Sequence, residues 1–373
     1  QVHQPLELAT LVRIRVGLFM RVAVLGSGFA GLSAAEKALE KYEDVVLYSS
    51  SKKEVSKPEN GYGELLESLS KTPVSRTGEG VLRKTEELKW LGDEMSKNLK
   101  MNDCYVIDRS IVQANWIEKL EDEGLLTNLE EKIDEEKFDE ICTGFDLVID
   151  ASGPEPVSEK ILDISNNEEY AIESISTRKV ESFNDHPMTA VGPFMKKFYW
   201  INTRSKDRAT VGAVSNNLPN LDDAKTLLEK KLNNHEVEIK RENLSYGKIP
   251  FLGYRDFKKS AQNHINAEVR LVGDAAGLNN GITGFGLQRA CESGKAAAEL
   301  SSNEKYVEWL KSSYRIAKLY DHTVGKIARV LGWSTFAKYM EVTGANITYP
   351  ASTDPRTPKE ALKAVKDIAT ASK

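Results

Sequence analysis

The chain has 373 residues, 40% of them hydrophobic, enough to bury a large core and to form two intimately packed domains. Its 51 Lys and Arg against 56 Asp and Glu leave a net charge of -5, which argues against nonspecific nucleic-acid binding. No run approaches the roughly 20 apolar residues of a membrane span.

Residues 1–19 read as an extension or tag ahead of a natural start at Met20, because a strand follows at once. A targeting peptide is the other reading. Arg21 to Leu25 is a short, Val-rich apolar run, the signature of a buried parallel strand. Gly26-Ser27-Gly28-Phe29-Ala30-Gly31 follows. In such a turn Gly26 makes the bend, Gly28 lets a pyrophosphate approach the backbone, and Gly31, beside Ala30, lets the helix pack on the strand. The predicted helix, Leu32 to Lys41, offers its N-terminal amides to phosphate. Val45 to Tyr48 reads as the second strand. A ribose-binding acid is expected at its end, but Ser49 stands there, which can bond a hydroxyl without the strength of a carboxylate.

Alone, this G-x-G-x-x-G is a weak signal. A second segment strengthens it: the predicted strand Val269 to Val272 runs into Gly273-Asp274-Ala275-Ala276-Gly277. Small residues around Gly284 and Gly286 then lead through Leu287 into an Ala-rich helix. The two halves together point to FAD held by two separated segments of one domain. Asp274 is placed to hold the ribityl chain; the alternative makes it a helix N-cap.

Between these segments, Lys71 to Lys100 reads as polar and mostly helical, with an amphipathic face at Glu86 to Leu91. Ser110 to Glu123 reads as a helix, and the acidic stretch around Glu130 to Glu140 as a solvated turn. Alternation at Ala171 to Ser176 and Ala209 to Val214 predicts an antiparallel sheet forming a wall of a substrate cavity. Asp222 to Leu232 reads as a helix. After Leu300 the chain is helical, and Tyr306, Trp309, Tyr314, Tyr320, Trp333, Phe336 and Tyr339 recur at spacings that suit a core or one end of an apolar tunnel. Lys359 to Lys373 would form a last helix, solvated or lying on a partner or a membrane surface. Cys104, Cys142 and Cys291 form no metal pattern and read as buried free thiols of a reducing cytoplasm. His264 falls in a predicted polar loop, and no metal site emerges.

Several segments in order resemble the geranylgeranyl reductase family, within the larger group of p-hydroxybenzoate-hydroxylase-like flavoproteins. The resemblance runs from about Met20 to about Ala298. Lys57-Pro58-Glu59-Asn60-Gly61-Tyr62-Gly63-Glu64 lies where the family has Pro and then Cys-Gly-Glu, so Tyr62 replaces the family's Cys. Tyr105-Val106-Ile107-Asp108-Arg109 is similar to a segment whose Arg contacts FAD. Asp146 to Pro154 is similar to a strand ending in A-x-G-P. Phe198-Tyr199-Trp200-Ile201-Asn202-Thr203-Arg204 lies over the substrate motif Y-x-W-x-F-P-K, with Asn202 and Thr203 in place of Phe-Pro. Tyr246 to Pro250 resembles a Gly-x-Ile-Pro turn.

The resemblance implies an α/β protein: a Rossmann-like FAD-binding domain, an antiparallel-sheet substrate domain and a helical C-terminal region. The implied division is 20–165 with 245–300 for FAD, 166–244 for substrate, and 301–373 for the helices. It implies reduction of C=C bonds in the prenyl chain of a lipid or quinone. Gly63 and Arg109 would join the cofactor contacts, Phe198 and Trp200 would hold the chain, Arg204 would sit at the mouth, and Tyr62 would relay a proton or pack on the flavin. Ferredoxin, reduced quinone and NAD(P)H are the candidate electron donors. Cytoplasmic placement with peripheral membrane contact would fit an apolar substrate. Two other readings stay open: a monooxygenase of aromatic or quinone-like substrates, which usually carries an Asp-Gly pair missing from Asp150-Ala151-Ser152-Gly153, and a flavoprotein electron carrier.

Overall fold

The computed structural model describes residues 20–50, 63–66, 79–91, 96–129, 132–159, 162, 168–176, 189–194, 197–205, 208–215, 244–250, 256–280, 286–331 and 357–363. Residues 1–19, Tyr62, Gly284, the Asp222–Leu232 segment, Trp333, Phe336 and Tyr339 lie outside them, as does most of the predicted last helix.

The chain enters through β1 (Arg21–Leu25), α1 (Phe29–Leu39) and β2 (Asp44–Ser49). It then forms β3 (Gly63–Leu66), β4 (Val81–Leu91), β5 (Ser96–Asp108), α2 (Arg109–Asp122), β6 (Leu126–Leu129), α3 (Glu135–Gly144) and β7 (Leu147–Asp150). Next come β8 (Glu168–Ser176), β9 (Thr189–Phe194), β10 (Lys197–Ser205), β11 (Arg208–Ser215) and β12 (Leu244–Pro250). The chain returns as β13 (Ala261–His264), β14 (Ala267–Leu271), α4 (Leu287–Glu299) and α5 (Asn303–Leu331).

One sheet has six strands in the order β13-β14-β7-β1-β2-β6, parallel throughout except for edge strand β13. Its central strands are covered on both faces, which is why they read as unbroken apolar runs: Val22 to Leu25, Leu147 to Ile149 and Val269 are all fully buried. Helices α1 and α4 pack tightly on one another, since a Cβ on Gly294 would come within 2.2 Å of the Ala30 carbonyl oxygen. Asp108 starts α2 by accepting from the amides of Ser110 and Ile111 at 3.2 and 3.3 Å.

The second sheet has eight strands in the order β12-β8-β11-β10-β9-β4-β5-β3, antiparallel except where β4 meets β9. The predicted antiparallel strands are present here. Sheet membership does not follow the expected division, however: β3, β4 and β5 from the N-terminal part, and β12, all join this sheet.

Four local expectations are corrected. Residues 81–91 and 96–100, read as mostly helical, are strands; Leu88 to Trp90 are paired on both sides, with β5 and with β9. That two-sided pairing satisfies the backbone and outweighs the helix preference of Glu, Lys and Leu. The acidic stretch is a helix from Glu135, because Asp134 accepts from the Lys137 amide at 3.0 Å while Phe138, Ile141 and Cys142 bury one face. Tyr246 to Pro250 is a strand on β8 rather than a turn. His264 closes β13, stacked on Phe138 with its Nε2 2.7 Å from Asp139 Oδ1.

Candidate functional site: a dinucleotide cleft at the strand ends

The carboxyl ends of β1, β2 and β7 open on a cleft of about 580 Å³. Gly26 follows β1 with φ +105°, donates its amide to the Tyr48 carbonyl at 2.7 Å, and passes so close to β7 that a Cβ would lie 2.3 Å from the Ala151 oxygen. Only glycine suits that conformation and that approach. Gly31 is equally confined, its would-be Cβ 1.9 Å from the Gly26 oxygen. Gly28 differs. It caps α1 without any side-chain bond, and a Cβ there would meet nothing nearer than Arg109 Nη2 at 3.7 Å. The first amides of α1 therefore sit beside the cleft with a guanidinium opposite, the arrangement that suits a diphosphate.

Arg109 is held by its neighbours. It begins α2, its guanidinium lies 6.0 Å from the Phe29 ring centroid, and Phe29 meets Trp116 edge-on at 5.9 Å. Gln113 ties the same helix to the glycine turn by donating to the Ser27 carbonyl at 3.0 Å. Ser49, buried at the end of β2, shares a 2.8 Å hydroxyl hydrogen bond with Ser27. Gly63 stands opposite Asp108 in the β3–β5 ladder, next to Arg109 in sequence.

The far wall, residues 151–157, is organised by Asp150. This fully buried carboxylate accepts from the amide and hydroxyl of Ser152 at 3.0 and 2.5 Å, and from those of Ser158 at 3.0 and 2.5 Å. Sequence reading passed over Asp150. Nothing local marks it, because Ser158 becomes a partner only through the path of the loop after β7.

The second segment reaches the same end of the sheet. Gly273, φ +56°, donates to Ser293 Oγ at 3.0 Å, and a Cβ on it would lie 2.8 Å from that of Ala30. The two glycine turns are thus in contact through α1. Asp274 accepts from Asn279 Nδ2 at 3.0 Å, and Asn279 also closes against Gly286, the N-cap of α4. The helix begins only at Leu287, so Asp274 is not its N-cap. Arg289, buried on α4, donates to the Leu278 carbonyl at 3.2 Å and to Asp321 Oδ2 of α5 at 3.3 Å. Asn279 and Arg289 were also missed, because nothing local marks them.

The proposed substrate residues lie on β10 of the other sheet. Phe198 is paired with Val214 and Pro193, and Trp200 with Gly212 and Val191; Arg204 falls at an irregularity between Thr203 and Ser205. Among the described residues no cluster of three His, Cys, Asp or Glu could hold a metal, and no helix is long and apolar enough to cross a membrane.

No protein-family model matches the chain. No curated protein matches it either. Solved structures do. A geranylgeranyl bacteriochlorophyll reductase-like protein from Thermoplasma acidophilum is 16% identical with a TM-score of 0.69, over 93% of this chain and 96% of that one. A flavoprotein/dehydrogenase from Cytophaga hutchinsonii is 13% identical with a TM-score of 0.62, over 94% and 98%. A 2-methyl-3-hydroxypyridine-5-carboxylic acid oxygenase is 14% identical with a TM-score of 0.56, over 84% and 92%. The chain has the α/β fold of the Rossmann-type, FAD-binding flavoproteins.

Proposed function

We propose that this chain, having the flavoprotein fold, is an FAD-dependent oxidoreductase that reduces C=C bonds of a prenyl chain carried by a lipid or quinone. The observation that supports FAD most directly is the convergence of both glycine segments on one end of the parallel sheet, with Gly28 open toward Arg109. The residues fit the cofactor. Gly26, Gly28, Ala30 and Gly31 would admit its diphosphate, with Arg109 facing the charge. Ser49 would take a ribose hydroxyl, and Gly273, Asp274, Gly286 and Leu287 would take the ribityl and ring end.

Bound and reduced, FAD would supply the hydride for such a reduction, with a proton completing the new CH–CH bond. The chain's own part is to orient the alkene and to exclude water, since an isolated alkene is a poor hydride acceptor. Phe198 and Trp200 on β10 would hold the prenyl chain, Arg204 would meet a head group, and Tyr62 would deliver the proton or pack beside the ring. Prenyl reduction is supported by the similarity to the Thermoplasma reductase-like protein and by the absence of the Asp-Gly pair at 150–153. The donor would be ferredoxin, reduced quinone or NAD(P)H, and peripheral membrane contact would give access to the substrate.

The test is anaerobic. The purified protein is reduced and mixed with a geranylgeranylated phospholipid, while flavin absorbance and product mass are followed. Reoxidation with gain of hydrogen pairs is expected. A flavin that stays reduced until oxygen is admitted would overturn the reductase reading. The oxygenase, for which the similarity to the pyridine-carboxylate enzyme speaks, would then lead.

A further inference from the structure

At the ribose end of the cleft, dinucleotide folds usually carry an acid on the second strand. That carboxylate binds the ribose 2′-hydroxyl and repels a 2′-phosphate. Here the position is Ser49, buried, with its hydroxyl 2.8 Å from that of Ser27. Ser50 lines the cleft beside it. Hydroxyls carry no charge, and each can donate one hydrogen bond and accept two, so they can turn their protons toward an anion. A serine also leaves space that a longer acid would fill.

The neighbouring strand adds a cation. Ser49 is in register with Leu129, the last residue of β6, and three residues on, exposed Lys132 lines the same cleft. Arg109 is the other cation among the lining residues, and Glu155, on the opposite wall formed after β7, is the one described acid. Arg109 faces Gly28 at the diphosphate position. Lys132 therefore remains to serve the ribose end, as a compact point charge suited to phosphate.

We infer that this subsite selects adenine nucleotides carrying a 2′-phosphate on the ribose, read by Ser49, Ser27 and Lys132, and that NADP-type nucleotides compete with FAD for the cleft. The inference rests on the dinucleotide reading of that cleft given above.

The experiment uses the full chain freed of bound nucleotide and calorimetric titration with four probes: 5′-AMP, adenosine 2′,5′-bisphosphate, adenosine 3′,5′-bisphosphate and FAD. The 2′,5′-bisphosphate is expected to bind about tenfold more tightly than 5′-AMP, and to bind in competition with FAD. The 3′,5′ isomer is expected to show no such gain. Ser49→Glu should remove the gain, read as the ratio of 2′,5′-bisphosphate to 5′-AMP affinity within the same variant. Lys132→Ala changes an exposed side chain, so its folding is secure, and it should cut 2′,5′-bisphosphate affinity severalfold with a weaker salt dependence. Equal or weaker binding of the 2′,5′-bisphosphate, or an equal gain from the 3′,5′ isomer, overturns the inference while FAD and 5′-AMP binding keep the dinucleotide reading intact. Failure of all four probes to bind overturns the dinucleotide reading itself.

Discussion

An alanine at Gly26 and one at Gly28 should behave in opposite ways, although both belong to the same turn. At Gly26 a methyl group meets the Ala151 oxygen at 2.3 Å in a left-handed conformation, so Gly26→Ala should lower the melting temperature and abolish cofactor binding together. At Gly28 the nearest atom is 3.7 Å away, so Gly28→Ala should leave the melting temperature in place and weaken cofactor binding at least tenfold. Parallel thermal scans and flavin titrations separate the two. Asp150→Asn should cost about 1–3 kcal/mol and loosen the cofactor, because an amide NH₂ replaces one oxygen that now accepts two hydrogen bonds. Cys291 makes a pH prediction. Burial pushes its thiol up from 9.0 to about 12. Unfolded, the thiol ionises near its ordinary value; folded, it stays neutral to about 12. Its stabilising effect is therefore complete below about pH 9 and is lost as pH rises toward 12, with a slope of up to about 1.4 kcal/mol per pH unit. Denaturant titrations of the protein and of Cys291→Ala across that window should diverge accordingly, and native Cys291 should resist alkylation at pH 8.

At the scale of elements, the second cofactor segment is fastened from behind. Arg289 of α4 bonds both the Leu278 carbonyl and Asp321 of α5, with both charges buried. Tyr306 of α5 donates to the Leu271 carbonyl at 2.7 Å, just before the Gly273 turn. Arg270, buried in β14, donates to the Ala297 and Leu300 carbonyls at the end of α4. Arg289→Ala should destabilise by about 3–5 kcal/mol, because it removes a cationic partner from a buried carboxylate, whereas Arg289→Met with Asp321→Leu should cost less. Chemical denaturation of the three variants decides this. The misread segments belong at this scale too. Glu86 to Leu91 are good helix formers locally, and only β5 and β9 make them a strand. Helix α3 was misread as a solvated turn although local signals mark it: Asp134, two acids in the first turn, and the apolar triplet Phe138, Ile141, Cys142.

For the whole molecule, the aromatic helix after Leu300 packs against the parallel sheet. Tyr306, Tyr314 and Tyr320 are buried and Trp309 is packed beside them, so these four serve the core. Because both glycine segments meet through α1, cofactor binding should stabilise the molecule as a unit. At a hundredfold excess over its dissociation constant, FAD should add about 2.7 kcal/mol, seen as a higher unfolding midpoint in the same cooperative transition.

The glycine turns, the parallel strands and the two-segment character of the site were legible in the chain. Those features depend on local rules: glycine where a side chain cannot fit, apolar runs where both faces are covered, and small residues where helices touch. The eight-stranded sheet is a tertiary outcome, since it joins β3–β5 to β8–β12 across the intervening α2, β6, α3 and β7. Tertiary contacts also decided the roles of Asp150, Asn279 and Arg289, and the pairing of Ser49 with Ser27. Their partners are distant in sequence or depend on loop geometry, so no periodicity or spacing announces them. They become visible only when the folded backbone brings donor and acceptor within hydrogen-bonding distance.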